Sequence, residues 1–286
     1  MGAPAWDSTR VIARGGGRYD AVVGAQWDLA MVPQGGVAAA VAARAMGVEL
    51  GTDQPLRALH GVSASPVPHG PLEVDVGVLR AGRSVSQAQA SVRAPGRSSG
   101  FSALAVFGGT RPGFAFTELA APEVPGPDAC PSFRDPPPPE VNPDWDGPWP
   151  FWGEVLEGRS ASGKAPWDDT PSDVAEVVQW LRFDEQPTGP DGDLDPLALL
   201  VLADVMPGAV FQRLEPVERG WFAPSIDLSV HILATASPGW ILSHVKAHAA
   251  GDGYATAEAA LWDPRGPDGP KLVAWAAQQM LFTKVD

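Results

Sequence analysis

The sequence predicts an α+β fold in which each half of the chain wraps a curved antiparallel sheet around one buried helix. Each half holds one almost wholly apolar helix candidate. Each helix is followed by alternating segments that pair as hairpins. The halves also superimpose: Gly82 and Gly251 lie 169 positions apart, and the same offset brings Val85 onto Tyr254, Ala88 onto Ala257 and Leu104 onto Val273. The helices match better at an offset near 160, so the second half carries roughly nine extra residues after its helix, and the whole points to an internal duplication.

In the first half the helix is expected over Val37–Met46, nearly all alanine and valine, behind Gly35-Gly36. A helix that is apolar all round is buried. Leu72, Val74, Val76 and Val78 then alternate with Glu73, Asp75, Gly77 and Leu79, which is strand periodicity. Ala81-Gly82-Arg83-Ser84 forms a turn, Val85–Arg93 completes the hairpin, and Phe101–Phe107 is the next strand. Residues 120–150 break the pattern with Pro122, Pro125, Pro127, Pro131, the run Pro136 to Pro139, Pro143, Pro148 and Pro150. Such chain lacks the N–H donors that a helix or central strand needs. It is expected as an extended strap that links a unit at 1–119 to a unit at 151–286, with Trp145, Trp149 and Trp152 as packing aromatics. In the second half a polar loop over Pro187–Asp195 leads into a helix expected over Leu194–Val205. Asp193 or Asp195 stands near its N-cap and Pro196 in its first turn. Ile241–Ala249 and Tyr254–Trp262 flank Gly251-Asp252-Gly253 as a second hairpin, and Leu272–Phe282 is the last strand.

Composition narrows the function. The chain has 286 residues, of which 44% are hydrophobic and 19% charged, enough apolar material for a core. Its net charge of −14 repels nucleic acid and anionic lipid, so neither is expected as a partner. A single cysteine, Cys130, excludes an internal disulfide and has no base beside it in sequence. No signal-peptide pattern and no run of membrane-spanning length occur, so a soluble, cytoplasmic protein is expected.

Several segments carry a resemblance to a known family. The first half reads Gln26-Trp27, Pro33-Gln34-Gly35-Gly36, the alanine-rich helix, Gly70-Pro71-Leu72-Glu73-Val74 and Leu79-Arg80-Ala81-Gly82-Arg83-Ser84. The second reads Leu202-Ala203-Asp204, Pro224-Ser225-Ile226-Asp227-Leu228-Ser229-Val230-His231 and Leu272-Val273-Ala274-Trp275-Ala276-Ala277-Gln278. In order and spacing these resemble the acyl-CoA thioesterase II-like family, over nearly the whole chain except the strap. The resemblance implies a double hotdog fold, that is, two tandem units with a helix in the curve of each sheet, their sheets joined edge to edge. It also implies hydrolysis of acyl-CoA to free acid and CoA, no cofactor and no metal. The implied partners are the acyl-CoA and further copies of the chain, as a homodimer or higher homo-oligomer. The roles of directing one water fall by resemblance on Asp204, Ser225 and Gln278. Serine stands where the family more often has threonine, Leu228 follows Asp227 where histidine is usual, and Gln279 follows Gln278 where glutamate is usual.

The residue types suit that chemistry. Water attacking a thioester needs a proton acceptor and a fixed line of attack. A carboxylate at a buried helix end supplies the first, with its pKa raised by desolvation. A hydroxyl and an amide supply the second, since each can donate and accept. Gly35-Gly36 at a helix start would let a carbonyl approach backbone N–H groups. Read alone, Asp204 reads as a polar helix end before Pro207-Gly208, and Ser225 as a hydroxyl at a strand start. Gln278 sits inside an apolar strand, where a buried amide must find hydrogen bonds.

Val76 to Thr117 contains no acidic residue and five arginines, Arg80, Arg83, Arg93, Arg97 and Arg111. Arginine forks suit the phosphates of CoA, and Arg80 and Arg83 flank a turn that could present them; a charged, solvated strand edge is the alternative. Other motifs are set aside. Gly158 to Lys164 resembles a P-loop, but Ala165 replaces the magnesium ligand and Pro166 follows. Gly96-Arg97-Ser98-Ser99-Gly100 has no room for the helix of a nucleophile elbow and reads as a turn. His244 and His248 lack the glutamate of a zinc-protease helix, and His60, His69 and His231 read as ordinary sheet or loop residues. The rival function is a non-catalytic acyl-CoA or hydrophobic-ligand binder on the same fold. A hotdog enoyl-CoA hydratase is disfavoured because the buried helix carries no Asp/His dyad.

Overall fold

The computed structural model describes residues 4–142, 144–162, 167–168, 170–214 and 221–284. Twelve strands form one antiparallel sheet: β1 (Ile12–Gly15), β2 (Arg18–Val23), β3 (Leu56–Ser63), β4 (Gly70–Arg80), β5 (Val85–Arg93), β6 (Phe101–Gly108), β7 (Leu156–Ser160), β8 (Glu176–Phe183), β9 (Asp227–Ile232), β10 (Ile241–Gly251), β11 (Tyr254–Asp263) and β12 (Lys271–Leu281). Their order across the sheet is β1-β2-β4-β5-β6-β3-β9-β12-β11-β10-β8-β7. Among the described residues no helix is long and apolar enough to cross a membrane.

The expected hairpins form in register. Val74 faces Val92 in β4–β5, and Val245 faces Ala259 in β10–β11. Six strands were given no range in the sequence reading, β1, β2, β3, β7, β8 and β9, and of these β3 and β9 join the halves, with Asp227 opposite Val62 and His231 opposite Ala58. At their centre His60 pairs with Ser229, and these residues are 169 apart, the offset of the repeat. A pseudo-two-fold axis therefore passes through that pair.

Helix α1 (Gly35–Leu50) begins earlier and ends later than Val37–Met46. It ends because Gly51 adopts φ 55° and returns its N–H to Gly47 and Val48. Its small side chains let the sheet close on it, and Val37 to Ala43 are all buried. The single helix expected over Leu194–Val205 is instead two short ones, α2 (Ala198–Ala203) and α3 (Pro207–Phe211). Asp195 holds the entry, its Oδ1 accepting from the Leu197 N–H at 3.0 Å. Pro207 starts a new helix without an N–H, and Asp204 sits at the break with φ −88° and ψ 51°.

The strap lies on the outer face of the second half's sheet. Cys130 is buried there beside Val178, Trp180, Leu242 and Trp262. The Trp180 indole N–H donates to the Pro125 carbonyl at 2.9 Å. This covering explains why β8 is buried on both faces: Val177 and Leu181 meet the main core while Val178 and Trp180 meet the strap. Pro143 lies outside the described residues.

Candidate active site

Asp204 sits at the α2–α3 break, 6% exposed, against the first turn of α1. The Gly36 N–H donates to its Oδ2 at 2.8 Å. Its Oδ1 accepts from the Ser225 hydroxyl at 3.1 Å and from the Gln278 amide. Gln278 comes from β12, on the inner face between Ala276 and Met280. Ser225 bridges to Met280, which fixes the hydroxyl beside the glutamine. Three segments far apart in sequence thus converge on one carboxylate.

Burial pushes the Asp204 carboxyl up from 3.8 to about 6, while the donors from Gln278, Ser225, Gly36 and Gly35 pull it down. It is thus ionised at neutral pH yet remains a usable base. Gln278 is 3% exposed, and its Oε1 is buried without a hydrogen-bond partner. That oxygen is an acceptor left beside the carboxylate.

The glycine pair serves a contact that the sequence did not indicate. A Cβ on Gly35 would stand 2.8 Å from Asp204 Oδ2, and one on Gly36 2.6 Å from Val201 Cα. What approaches these glycines closely is the Asp204 carboxylate and the α2 backbone, and Gly35 also lines the cavity described below. Gln34, not anticipated from sequence, clamps the same junction: its amide donates to the Val201 carbonyl at 3.0 Å and the Asp204 carbonyl at 2.8 Å. A polar side chain directly ahead of a glycine pair was the signal available for it.

Asp204, Ser225, Gln34 and Gly35 line a cavity of about 950 Å³ that is walled largely by apolar side chains, including Phe101, Phe133 and Trp152. Trp145 and Trp149 of the strap line it as well. Arg80 and Arg83 are not brought there. They end the β4–β5 hairpin, where the Arg83 carbonyl accepts from Gln54, just past the C-terminus of α1. The cavity lies at the other end of that helix, about 24 Å away at 1.5 Å per residue. Of the other arginines, Arg93 is paired with Glu73 and Asp75 at 3.4 and 2.5 Å.

The motifs set aside fall in ordinary places. Gly96–Gly100 is the loop between β5 and β6. Gly158–Ser160 runs along β7, and Gly163, Lys164, Ala165 and Pro166 lie outside the described residues. His244 and His248 are on strand β10, facing Glu176 and Glu258.

Comparison with known proteins gives a consistent picture. The family described as acyl-CoA thioesterase C-terminal domain matches residues 127–282, and acyl-CoA thioesterase N-terminal domain matches residues 23–108. A solved protein of Alicyclobacillus acidocaldarius, of unknown function and hot dog fold, is 23% identical with a TM-score of 0.78 over 99% of this chain and 100% of its own. A protein of Novosphingobium aromaticivorans provisionally named a thioesterase is 27% identical, with a TM-score of 0.72 over 98% of this chain and 99% of its own. The acyl-CoA thioesterase II TesB2 of Mycobacterium marinum is 20% identical, with a TM-score of 0.71 over 98% of each chain. No curated protein matches the sequence.

Proposed function

We propose, from the premise that the chain belongs to the acyl-CoA thioesterase family and is a thioester hydrolase, that Asp204, Ser225 and Gln278 direct one water at an acyl-CoA carbonyl. The observation that carries this reading is the buried Asp204 carboxylate at the wall of the cavity, held by the Gln278 amide, whose own Oε1 is left without a partner. A water there donates one hydrogen to Asp204 and the other to Gln278 Oε1. Ser225 donates to the same carboxylate oxygen as the Gln278 amide, Oδ1. As the water oxygen bonds to the carbonyl carbon, its proton passes to Asp204. The C–S bond of the tetrahedral intermediate then breaks, and the departing sulfur takes that proton. The products are the free acid and CoA, with no covalent enzyme intermediate.

Positioning one water removes the entropy of a bimolecular encounter, and the base adds its own factor. Asp204→Asn is expected to lower kcat by on the order of 10²–10⁴ with little change in KM. Gln278→Ala should also lower kcat, and the double variant should lose less than the product of the single effects, since both side chains act on one water. Ser225→Thr keeps the hydroxyl and should retain turnover. The assay is CoA thiol release from a panel of acyl-CoAs. Near wild-type turnover in Asp204→Asn refutes the mechanism, and binding without release identifies a carrier instead.

A further inference from the structure

The cavity wall turns polar a second time, away from Asp204. On the inner face of β8, Gln179 stands between Val177 and Leu181, which both belong to the apolar core. The register pairs Gln179 with Ser160 on β7 and with Ser243 on β10, so three polar side chains cross adjacent strands in one row. All are buried, with Gln179 4% and Ser243 0% exposed. Gln179 Nε2 and Ser243 Oγ have no hydrogen-bond partner. Gln179 and Ser160 line the same cavity as Asp204, beside Phe133 and Trp152. Strands β11 and β10 separate β12 from β8, so this row lies three strand spacings from that of Gln278, about 14 Å across the sheet.

A folded chain rarely buries an amide donor without an acceptor, because the lost hydration is not replaced. No side chain here supplies one, and the amide borders the space that the substrate is to fill. We infer that Gln179, backed by Ser243, is a specificity subsite that binds an oxygen on the acyl chain, a hydroxyl or keto group remote from the thioester carbonyl. The inference rests on the hydrolytic reading of Asp204. An all-methylene chain leaves the Nε2 donor unpaired, whereas a chain oxygen accepts from it. Ser243 is fully buried and does not line the cavity, so the chain oxygen meets the Gln179 amide alone. The enclosure of Gln179 among core side chains favours the acyl chain over the pantetheine arm of CoA, which carries similar polar groups.

The test uses S-alkyl-CoA thioethers, which cannot be hydrolysed, with a hydroxyl moved one carbon at a time along the alkyl chain. Calorimetry should show one or two positions at which the hydroxylated thioether binds on the order of tenfold more tightly than the unsubstituted one. Gln179→Met, close in shape but without the amide, should abolish that difference, with a melting curve confirming its fold. No favoured position with the wild-type chain would overturn the subsite, whether or not the variant folds. So would an equal loss for all CoA thioethers that spares thioethers lacking the pantetheine arm, since the contact would then be to that arm. Thioester turnover is measured in parallel. Discrimination without turnover supports the subsite and sinks the Asp204 reading; turnover without discrimination does the reverse.

Discussion

Asp204 carries a measurable pH signature. Its carboxyl has an ordinary value of 3.8 in the unfolded chain and about 6 when folded. Between those values the folded state holds the extra proton, so this group makes stability fall as pH rises from about 4 to 6 and stay level above that. At 1.36 kcal/mol per unit the loss is roughly 3 kcal/mol. Activity should move the other way, with kcat/KM rising through an apparent pKa near 6 as the base ionises. Urea unfolding and rate profiles over the same pH range check both, and Asp204→Asn should flatten the stability slope. The Gln278 amide was legible in the sequence because an amide in an apolar strand demands partners. The same logic applied to Gln179 in Glu176–Phe183 and was missed there, since no neighbouring motif drew attention to it. Gly35-Gly36 were found, but their close neighbour is a carboxylate contributed from residue 204, and a contact across so much sequence has no local signature.

The junction of α1 with α2 is where element packing meets chemistry. A Cβ at position 36 would run into the α2 backbone, 2.6 Å from Val201 Cα and 2.7 Å from the Leu200 carbonyl oxygen. Gly36→Ala must therefore push the helices apart, at a cost of about 1–3 kcal/mol read by denaturant unfolding. At position 35 the first obstacle is Asp204 Oδ2 itself. Gly35→Ala is expected to reduce kcat more than stability, because the displaced atom belongs to the proposed base. Hairpins β4–β5 and β10–β11 were readable because their alternation is local. The α2–α3 break was not, because the apolar run through Val205 continues past Ala203 and only Pro207 and the hydrogen bonds of Asp204 interrupt it. Strands β3 and β9 were obscured for another reason. Each is flanked by the other half's strand, and nothing in Leu56–Ser63 alone announces a partner at Asp227–Ile232.

At the scale of the molecule, duplication sets the frame and asymmetry sets the site. The pairing of His60 with Ser229 at the repeat offset places like strands side by side, so one continuous sheet results. The strap breaks that symmetry by covering the outer face of the second half, where Cys130 and Trp180 are buried. The arginines at the β4–β5 turn lie at the far end of α1 from the cavity, so Arg80→Ala combined with Arg83→Ala should leave KM for acyl-CoA unchanged. A rise in KM confined to CoA substrates, absent with short thioesters lacking the nucleotide, would restore phosphate recognition to them.

The hold of α1 on Asp204 has a further consequence. The N–H that steadies the carboxylate is made by residue 36, while the carboxylate and its other two side-chain partners come from positions 204, 225 and 278. During synthesis the helix leaves the ribosome long before the groups it must meet. A nascent or half-folded chain accordingly lacks the assembled Asp204 cluster, and on the proposed mechanism it cannot drain the thioester pool around it. On the proposed mechanism, the division of the water-directing group between two repeats works as a safety interlock, which releases hydrolytic power only once both halves have closed on each other.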